Sequence, residues 1–552
     1  MPKTYRNPHY PYRRSPDQDG REAHHPVIIV GAGLVGLTAA VDLATRGVPA
    51  VVLDDDDTVS FGSRAICFSK RTLEIYDRLG LGERLRAKGV TWNRGKVFFK
   101  DRPVYSFDLL PEGGHAWPAF MNLQQYYPEQ WLVERAEELG LTDLRWRNKV
   151  TDLRQDGERV HLTVETPDGP YRLSCDYLLA ADGARSQIRR CLDLPFNGQV
   201  FQDRFLIADV VMKADFPSER WFWFDPPFHP GQSALLHKQP DGVWRIDLQL
   251  GWDADPEVEK QPERVIPRLV AMLGKDVDFE LEWVSVYTFQ CRRLARFTHG
   301  RVFFIGDSAH QVSPFGARGG NGGVQDADNL CWKLAAVLDG RADARLLESY
   351  DRERIPAADE NIRHSTRSTD FITPRNDAIR ACRDAVLELS EHLPFARALV
   401  NSGRLSRAYC PPHGGSGPLG PGSPCPDSPL LRGNERAWLL QRLAGDGSAD
   451  FCGLYFTDTP LTGEQSDRLS GLSAAQPDVK TLVIARQGCP ETAFGPDVWQ
   501  DCEGLFASRY GATPGSFFLI RPDQHLAECW PALDAAAVAR ARAHALALED
   551  RS

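Results

Sequence analysis

Two hydrophobic rhythms divide the chain. From His24 to Leu53 the apolar positions form short unbroken runs, VIIV and AVVL, on either side of the glycine-rich GAGLVG and the helix-periodic LTAAVDLA. Runs of this length suit strands buried on both faces, so the pattern predicts one strand–helix–strand unit. From Val150 to Leu179 apolar and polar residues alternate, as in RVHLTVE. From about Phe201 to Val286 period two continues in segments such as GVWRIDLQLGW and FELEWVSVYTF. This second rhythm predicts antiparallel sheet. Val302 to Leu338 returns to an apolar strand followed by an amphipathic helix, and residues 342–407 are helical with many charge pairs four apart.

The clearest break follows. Ten of the fourteen residues from Pro411 to Pro424 are Gly or Pro, a composition that suits a linker and neither helix nor inner strand. A separate α/β pattern occupies the rest of the chain. At 552 residues, two to four domains are expected. A net charge of -10 argues against a nucleic-acid partner, and no apolar run reaches the length of a membrane span. Residues 1–24 are polar and proline-rich, lack the apolar centre of a signal peptide, and read as a flexible leader. None of the twelve cysteines has C-x-x-C spacing, which fits reduced thiols in a cytoplasmic protein better than zinc or redox pairs.

Three motifs carry chemistry. Gly31-Ala32-Gly33-Leu34-Val35-Gly36 is G-x-G-x-x-G between a strand and a helix. Its glycines allow a tight turn, close approach of a pyrophosphate and close helix–strand packing, and the helix start supplies amide donors. Asp54 ends the second strand, where a carboxylate accepts bonds from ribose hydroxyls. The second motif, YLLAADGARSQIRR, holds Asp182, Gly183, Ser186 and Arg189 where a strand meets a helix. In the third, RVFFIGDSAH delivers Asp307 to a strand end, and Gly319, Gly320 and Asn321 place bare amides at a helix start.

In this order the motifs resemble those of the single-component (group A) FAD-dependent aromatic hydroxylases, the para-hydroxybenzoate hydroxylase and phenol hydroxylase family. The style is nearest to 3-(3-hydroxyphenyl)propionate hydroxylase-like proteins. The resemblance covers nearly everything after His24 and implies an α/β fold. A Rossmann-like FAD-binding domain (25–200 and 297–365) would hold an inserted antiparallel β-sheet substrate domain (201–296). A helical region (366–410), a Gly/Pro linker (411–429) and a thioredoxin-like C-terminal domain (430–552) would complete it. Gly31, Gly33, Gly36, Asp54, Asp182, Asp307, Gly319, Gly320 and Asn321 would bind FAD. GSRAICFSK points to Arg64 as a further cofactor contact, and QYYPEQWL points to Gln125 on the ribityl side.

The resemblance also implies a reaction. NADH or NADPH reduces FAD, O2 adds to give a C4a-hydroperoxyflavin, and a phenolic aromatic substrate is hydroxylated. Pro314 would present its carbonyl beside the flavin, and His310 is either a proton relay or local structure. Tyr287 is either a substrate residue or a core tyrosine. His237 and Arg245 either meet a substrate carboxylate or are ordinary sheet-face residues. A homodimer is among the arrangements the family admits. Two rivals remain: a flavin-dependent halogenase, for which WFWFDP (Trp221–Pro226) is a near match to W-x-W-x-I-P, and a non-catalytic flavoprotein binding module.

Overall fold

The computed structural model describes residues 4–62, 64–214, 216–251, 253–400, 407–413, 417–444, 450–489 and 497–548. Strand β1 (Ala23–Val30) turns into helix α1 (Leu34–Thr45) and strand β2 (Ala50–Leu53), followed by α2 (Tyr126–Leu139), β3 (Thr142–Arg145) and β4 (Tyr171–Ala180). The chain then crosses to a second sheet through β5 (Asn197–Met212), β6 (Arg220–Phe224), β7 (Ser233–Lys238), β8 (Val243–Leu250) and β9 (Phe279–Arg293). It returns as β10 (Val302–Phe304), α3 (Gly319–Leu338) and α4 (Glu348–Ile372).

The unbroken apolar runs become the centre of a parallel sheet in the order β10–β4–β1–β2–β3. Val27, Ile28, Ile29, Leu53, Leu178 and Leu179 are fully buried there, as strands covered on both faces require. Register matters more than order. Val30 lies opposite both Leu53 and Ala180, and Ala180 lies opposite Phe304. Four strands therefore end in one row, and the residues that leave it are Gly31, Asp54, Asp182 and the Gly306–Asp307 turn. The crevice beyond the carboxyl ends of such strands is where ligands bind in open α/β sheets.

Two glycines are dictated by packing. A Cβ on Gly36 would sit 1.9 Å from the Gly31 carbonyl oxygen, and one on Gly31, whose φ is +107°, would sit 2.5 Å from that of Ala181. Both obstacles are backbone, so helix α1 can approach β1 and β4 only without side chains here.

The second sheet runs β9–β5–β8–β7–β6 and continues through Arg94–Phe99 and Arg102–Asp108. It is larger than the predicted 201–296 segment. Its first long strand begins at Asn197, and two strands come from the preceding part of the chain because β6 pairs in parallel with Arg94–Phe99. Alternation gives the sheet two different faces. Leu206, Ala208, Val210, Leu236, Ile246 and Leu248 form a closed core on one. The other faces the parallel-sheet unit: Phe205 packs on Phe315, and a Cβ on Gly62 would strike the Trp283 ring.

The predicted leader is packed, not loose. Tyr5 stacks on Tyr126 with ring centroids 3.9 Å apart, Tyr10 stacks on Trp146 at 4.5 Å, and the Asn7 amide donates to the carbonyls of Val59 and Ser60. Polar composition hid this. Two tyrosines bury enough ring surface to anchor a proline-rich strap.

Beyond the Gly/Pro segment lies a third, mixed sheet of seven strands. Phe451–Thr457, Val479–Arg486 and Asp497–Asp501 are parallel in it, with Phe517–Ile520 and Leu526–Trp530 antiparallel at one side. Trp332 and Ala336 of α3 share a core with Phe451, Tyr455 and Leu472 of this unit. Arg521 grips Glu353 through two bonds of 3.0 and 2.9 Å, so the unit is seated on the back of α3 and α4. The end of the expected linker is built into this seat: Cys425, Asp427 and Ser428 are buried. Among the described residues no helix is long and apolar enough to cross a membrane, and no three metal-ligating side chains cluster.

Candidate functional site

The row of strand ends forms the floor of a crevice. At β2, Asp54 accepts from the amides of Ala32 (2.5 Å) and Asp56 (2.8 Å), which ties the acid to the glycine turn. Loss of solvent, and then the charges of Asp55 and Asp56, push its pKa up to about 6. At β4, Asp182 accepts from the Ile188 amide at 3.0 Å and caps the next helix, while its second oxygen is buried without a partner. Arg189 reaches across to the Ser308 carbonyl at 3.0 Å, joining the second motif to the third.

The third motif closes the crevice. Asp307 is exposed at its edge, and no protein donor reaches its carboxylate among the described residues. Burial of the surroundings raises its pKa, while His310 and Arg64 pull it down, so the exposed Arg64 stands near enough to be felt. The start of α3 lies beside it. A Cβ on Gly319 would meet Asp307 at 4.0 Å, and one on Gly320 would meet Ala65 and Leu34 at 3.4 Å. The first turns of α1 and α3 and the Arg64–Ala65 segment are thus adjacent. First-turn amides have no acceptor within their own helix, so α3 offers its donors to the crevice.

A family profile for the FAD binding domain matches residues 24–365. The chain belongs to that family. It is a flavin-dependent aromatic monooxygenase, and relatives it resembles are named monooxygenases and hydroxylases. It is 30% identical over 540 residues, 92% of this chain and 95% of the relative, to the 12-dehydrotetracycline 5-monooxygenase/anhydrotetracycline 6-monooxygenase of Streptomyces rimosus subsp. rimosus. It is 28% identical over 384 residues to a 3-(3-hydroxy-phenyl)propionate/3-hydroxycinnamic acid hydroxylase of Mycobacterium avium, covering 68% of this chain and 66% of that one. Its fold is similar to that of the flavin-dependent monooxygenase PieE, solved with FAD and substrate: TM-score 0.79, 23% identity, 96% of this chain and 100% of the other.

Three observations fit FAD to the crevice of this family member. Among the described residues, no protein donor reaches the Asp307 carboxylate. The glycines at 33, 319 and 320 leave space where side chains would stand, with no atom nearer than 3.4 Å to an added Cβ. The first turn of α3 presents open amides to an electron-rich edge. Other predicted residues turn inward instead. The Asn321 side chain is fully engaged: it accepts from the Ser69 amide and donates to the carbonyls of Cys67 and Ala317. It therefore staples the Cys67–Ser69 strand to α3, and only its backbone faces the crevice. Gln125 accepts from the Ala65 amide at 2.8 Å and donates to Ser60 and Glu129, so its side chain positions the Arg64–Ala65 segment. The Pro314 carbonyl closes a turn by accepting from Ala317 at 3.0 Å. His310 lies 2.6 Å from buried Asp326, a structural pairing.

Two residues stand out that motif reading passed over. Glu129 is wholly buried and accepts from the amides of Leu34 and Ser60, the Ser60 hydroxyl and Gln125. It caps α1 beside the glycine turn, and burial raises its pKa. The signal was present: an acid four residues after Gln125 shares its helix face. Asp326 binds the Gly306 amide, His310 and Arg354. An acid on the apolar side of an amphipathic helix is the corresponding clue.

On the sheet face above the crevice, Tyr287 is half-buried, and its hydroxyl has no protein partner among the described residues. His237 and Arg245 lie opposite one another across β7 and β8, both buried. Arg245 donates to Asp247 at 3.1 Å, so its charge is already answered. Trp221 and Trp223 of WFWFDP point to the opposite face and pack on Phe98, Phe216 and Phe228, which removes the near match to the halogenase hallmark from the crevice.

The raised pKa of Asp54 has two consequences of opposite sign. Between its ordinary value near 3.8 and about 6, the folded apoprotein holds a proton that the unfolded chain has lost, so its stability falls as pH rises through that window. Only the ionised carboxylate offers all its lone pairs to ribose hydroxyls. FAD affinity measured by fluorescence titration is therefore expected to rise from pH 5 to pH 7, and Asp54→Asn is expected to flatten the rise.

Proposed function

We propose that the chain hydroxylates a phenolic ring with NADH or NADPH and O2, the ring lying between the crevice and the Tyr287-bearing face of the antiparallel sheet. The juxtaposition of that polar face with the row of motif-bearing strand ends carries the reading. Bound FAD would supply the redox chemistry by taking up reducing equivalents and passing them to O2. The protein's own residues do the rest. Asp307, Asp54, Arg64 and the α3 amides bind and orient the cofactor. The sheet and the helices at its end exclude water, and Tyr287 holds or moves a proton at the substrate oxygen.

A polycyclic phenol is the substrate class favoured here, because the likeness to the anhydrotetracycline enzyme runs through the C-terminal unit as well. NADH and NADPH oxidation should accelerate when anhydrotetracycline or 3-(3-hydroxyphenyl)propionate is added, with one oxygen atom gained by the product. Failure of every phenol to accelerate it would return the chain to a flavoprotein binding module, and a halogenated product with chloride or bromide would overturn hydroxylation. Tyr287→Phe is expected to lower hydroxylated product per NAD(P)H by roughly tenfold, with peroxide taking its place and FAD still bound; unchanged coupling would make Tyr287 a packing residue. We also read the C-terminal unit as thioredoxin-like from its strand–helix–strand followed by a hairpin and helix. Without C-x-x-C, its role would be structural or dimer-forming, in a cytoplasmic protein.

A further inference from the structure

The family profile begins at residue 24, so the packed N-terminal strap stands before the matched segment. Its far end is pinned to the parallel-sheet unit: Asp17 accepts from Arg145 at 2.6 Å and lies 2.8 Å from His25 Nε2. The arm from Thr4 to Tyr10 forms neither helix nor strand. Tyr10 donates to the Asp57 carbonyl at 2.8 Å, and the other bonds that hold the arm have a side chain at one end or both.

Three pieces of the fold meet under this arm. The first is the run after Asp54 that leads to Arg64 and Ala65. Asp57–Ser60 are neither helix nor strand, so lateral bonds must hold them. From inside, Glu129 takes the Ser60 amide and hydroxyl. From outside, Asn7 donates to the carbonyls of Val59 at 2.9 Å and Ser60 at 3.1 Å, and the Thr58 hydroxyl donates to the Pro8 carbonyl at 2.6 Å. The second piece is helix α2. Tyr5 stacks on Tyr126 and its hydroxyl donates to Gln130 at 2.8 Å, one residue on from Gln125, which holds Ala65. The third is strand β9 of the antiparallel sheet, where the Thr4 amide and hydroxyl donate to Glu282 at 2.7 and 2.5 Å. The next residue, Trp283, lies against Gly62.

The arm therefore ties the cofactor unit to the sheet on the side of the crevice where Arg64 and Ala65 stand. Its grip is one-sided: Arg6 and His9 are exposed, while Thr4, Tyr5, Asn7, Pro8 and Tyr10 are half-buried. A segment docked by side chains on a finished surface opens at far less cost than the core beneath it.

We propose that the Thr4–Tyr10 arm is a clasp over the cofactor crevice: FAD enters and leaves when the arm releases Val59, Ser60 and Glu282, so the arm sets the rate of exchange. The clasp is closed by protein atoms alone and restrains entry and departure alike. It needs only FAD, whatever ring is hydroxylated, and so goes beyond the hydroxylase reading without resting on it.

The test follows FAD fluorescence on dilution of holoenzyme and on mixing apoprotein with FAD, which gives both rate constants. Asn7→Ala is expected to raise the dissociation rate roughly tenfold, the scale of two ordinary hydrogen bonds. The association rate should rise with it, so that Kd changes far less than either rate. Thr4→Val, which loses the hydroxyl bond to Glu282, should raise both rates by a smaller factor. Arg6→Ala, on the exposed side of the same arm, should move neither. Apoprotein melting should shift by about 2 °C at most in all three. Unchanged rates in Asn7→Ala overturn the proposal. Faster dissociation with unaltered association also overturns it, since Asn7 would then add affinity through the Arg64 segment and gate nothing. A large loss of apoprotein stability overturns it as well, because the arm would then be part of the core fold. None of these outcomes bears on the hydroxylase reading, which product formation decides.

Discussion

Asp307→Ala is expected to release FAD, raising its Kd by about 100-fold, while leaving the apoprotein folded. The carboxylate stands at the end of β10 with no protein donor among the described residues, so its removal leaves no protein partner stranded. What is lost is an acceptor for cofactor hydroxyls. Hydrogen bonds to a charged group contribute about 1.5–3 kcal/mol each, and each 1.4 kcal/mol is about tenfold in affinity. The apoprotein is expected to behave differently: the exposed carboxylate accepts no protein bond among the described residues, so alanine breaks nothing in the fold. Apoprotein melting at pH 7 should be unchanged, and the FAD affinity of Asp307→Asn should fall between those of wild type and alanine. A lowered apoprotein melting temperature with unchanged FAD affinity would make Asp307 a structural residue.

The contrast between Asp307 and its neighbours shows how far sequence reading reaches. Strand ends were legible because unbroken apolar runs stop where an acid or glycine begins, and parallel pairing then brings four such ends into one row. Gly31 and Gly36 were legible because backbone approach leaves no alternative. Side-chain roles were less so. Asn321 sits inside a motif that suggests cofactor contact, yet its amide group is spent on Cys67, Ser69 and Ala317. Arg245 carries the right charge for an acidic substrate, but Asp247 two residues later answers it from the same sheet face. The leader failed for a different reason: composition predicts solvation, whereas a few well-spaced tyrosines can dock a segment that has no hydrophobic period.

Asp326→Ala is expected to be the most damaging substitution near the site, and its signature separates it from that of Asp307. Asp326 is wholly buried and makes three bonds: His310 Nε2 at 2.6 Å, Arg354 Nε at 2.8 Å and the Gly306 amide at 3.1 Å. Alanine leaves the Arg354 guanidinium in the interior without its acid, a loss on the order of 3–5 kcal/mol. It also frees the Gly306 amide, whose residue turns the chain at φ +65° to aim Asp307 at the crevice. Both apoprotein stability and FAD affinity should therefore fall, whereas Asp307→Ala lowers affinity alone. The pH dependence gives a second mark. His310 and Arg354 hold the Asp326 pKa below its ordinary value, against the opposing effect of burial. Its contribution to stability is thus present above the unfolded carboxylate pKa, near 4, and is lost as pH falls through the folded value. Wild-type apoprotein should lose stability on acidification below about pH 4 more steeply than Asp326→Asn, which keeps the shape without the charge. Thermal melts of both apoproteins between pH 3 and pH 7 would decide it: parallel curves would mean that the ion pairs around Asp326 add nothing to the fold, and that Gly306 holds its turn unaided.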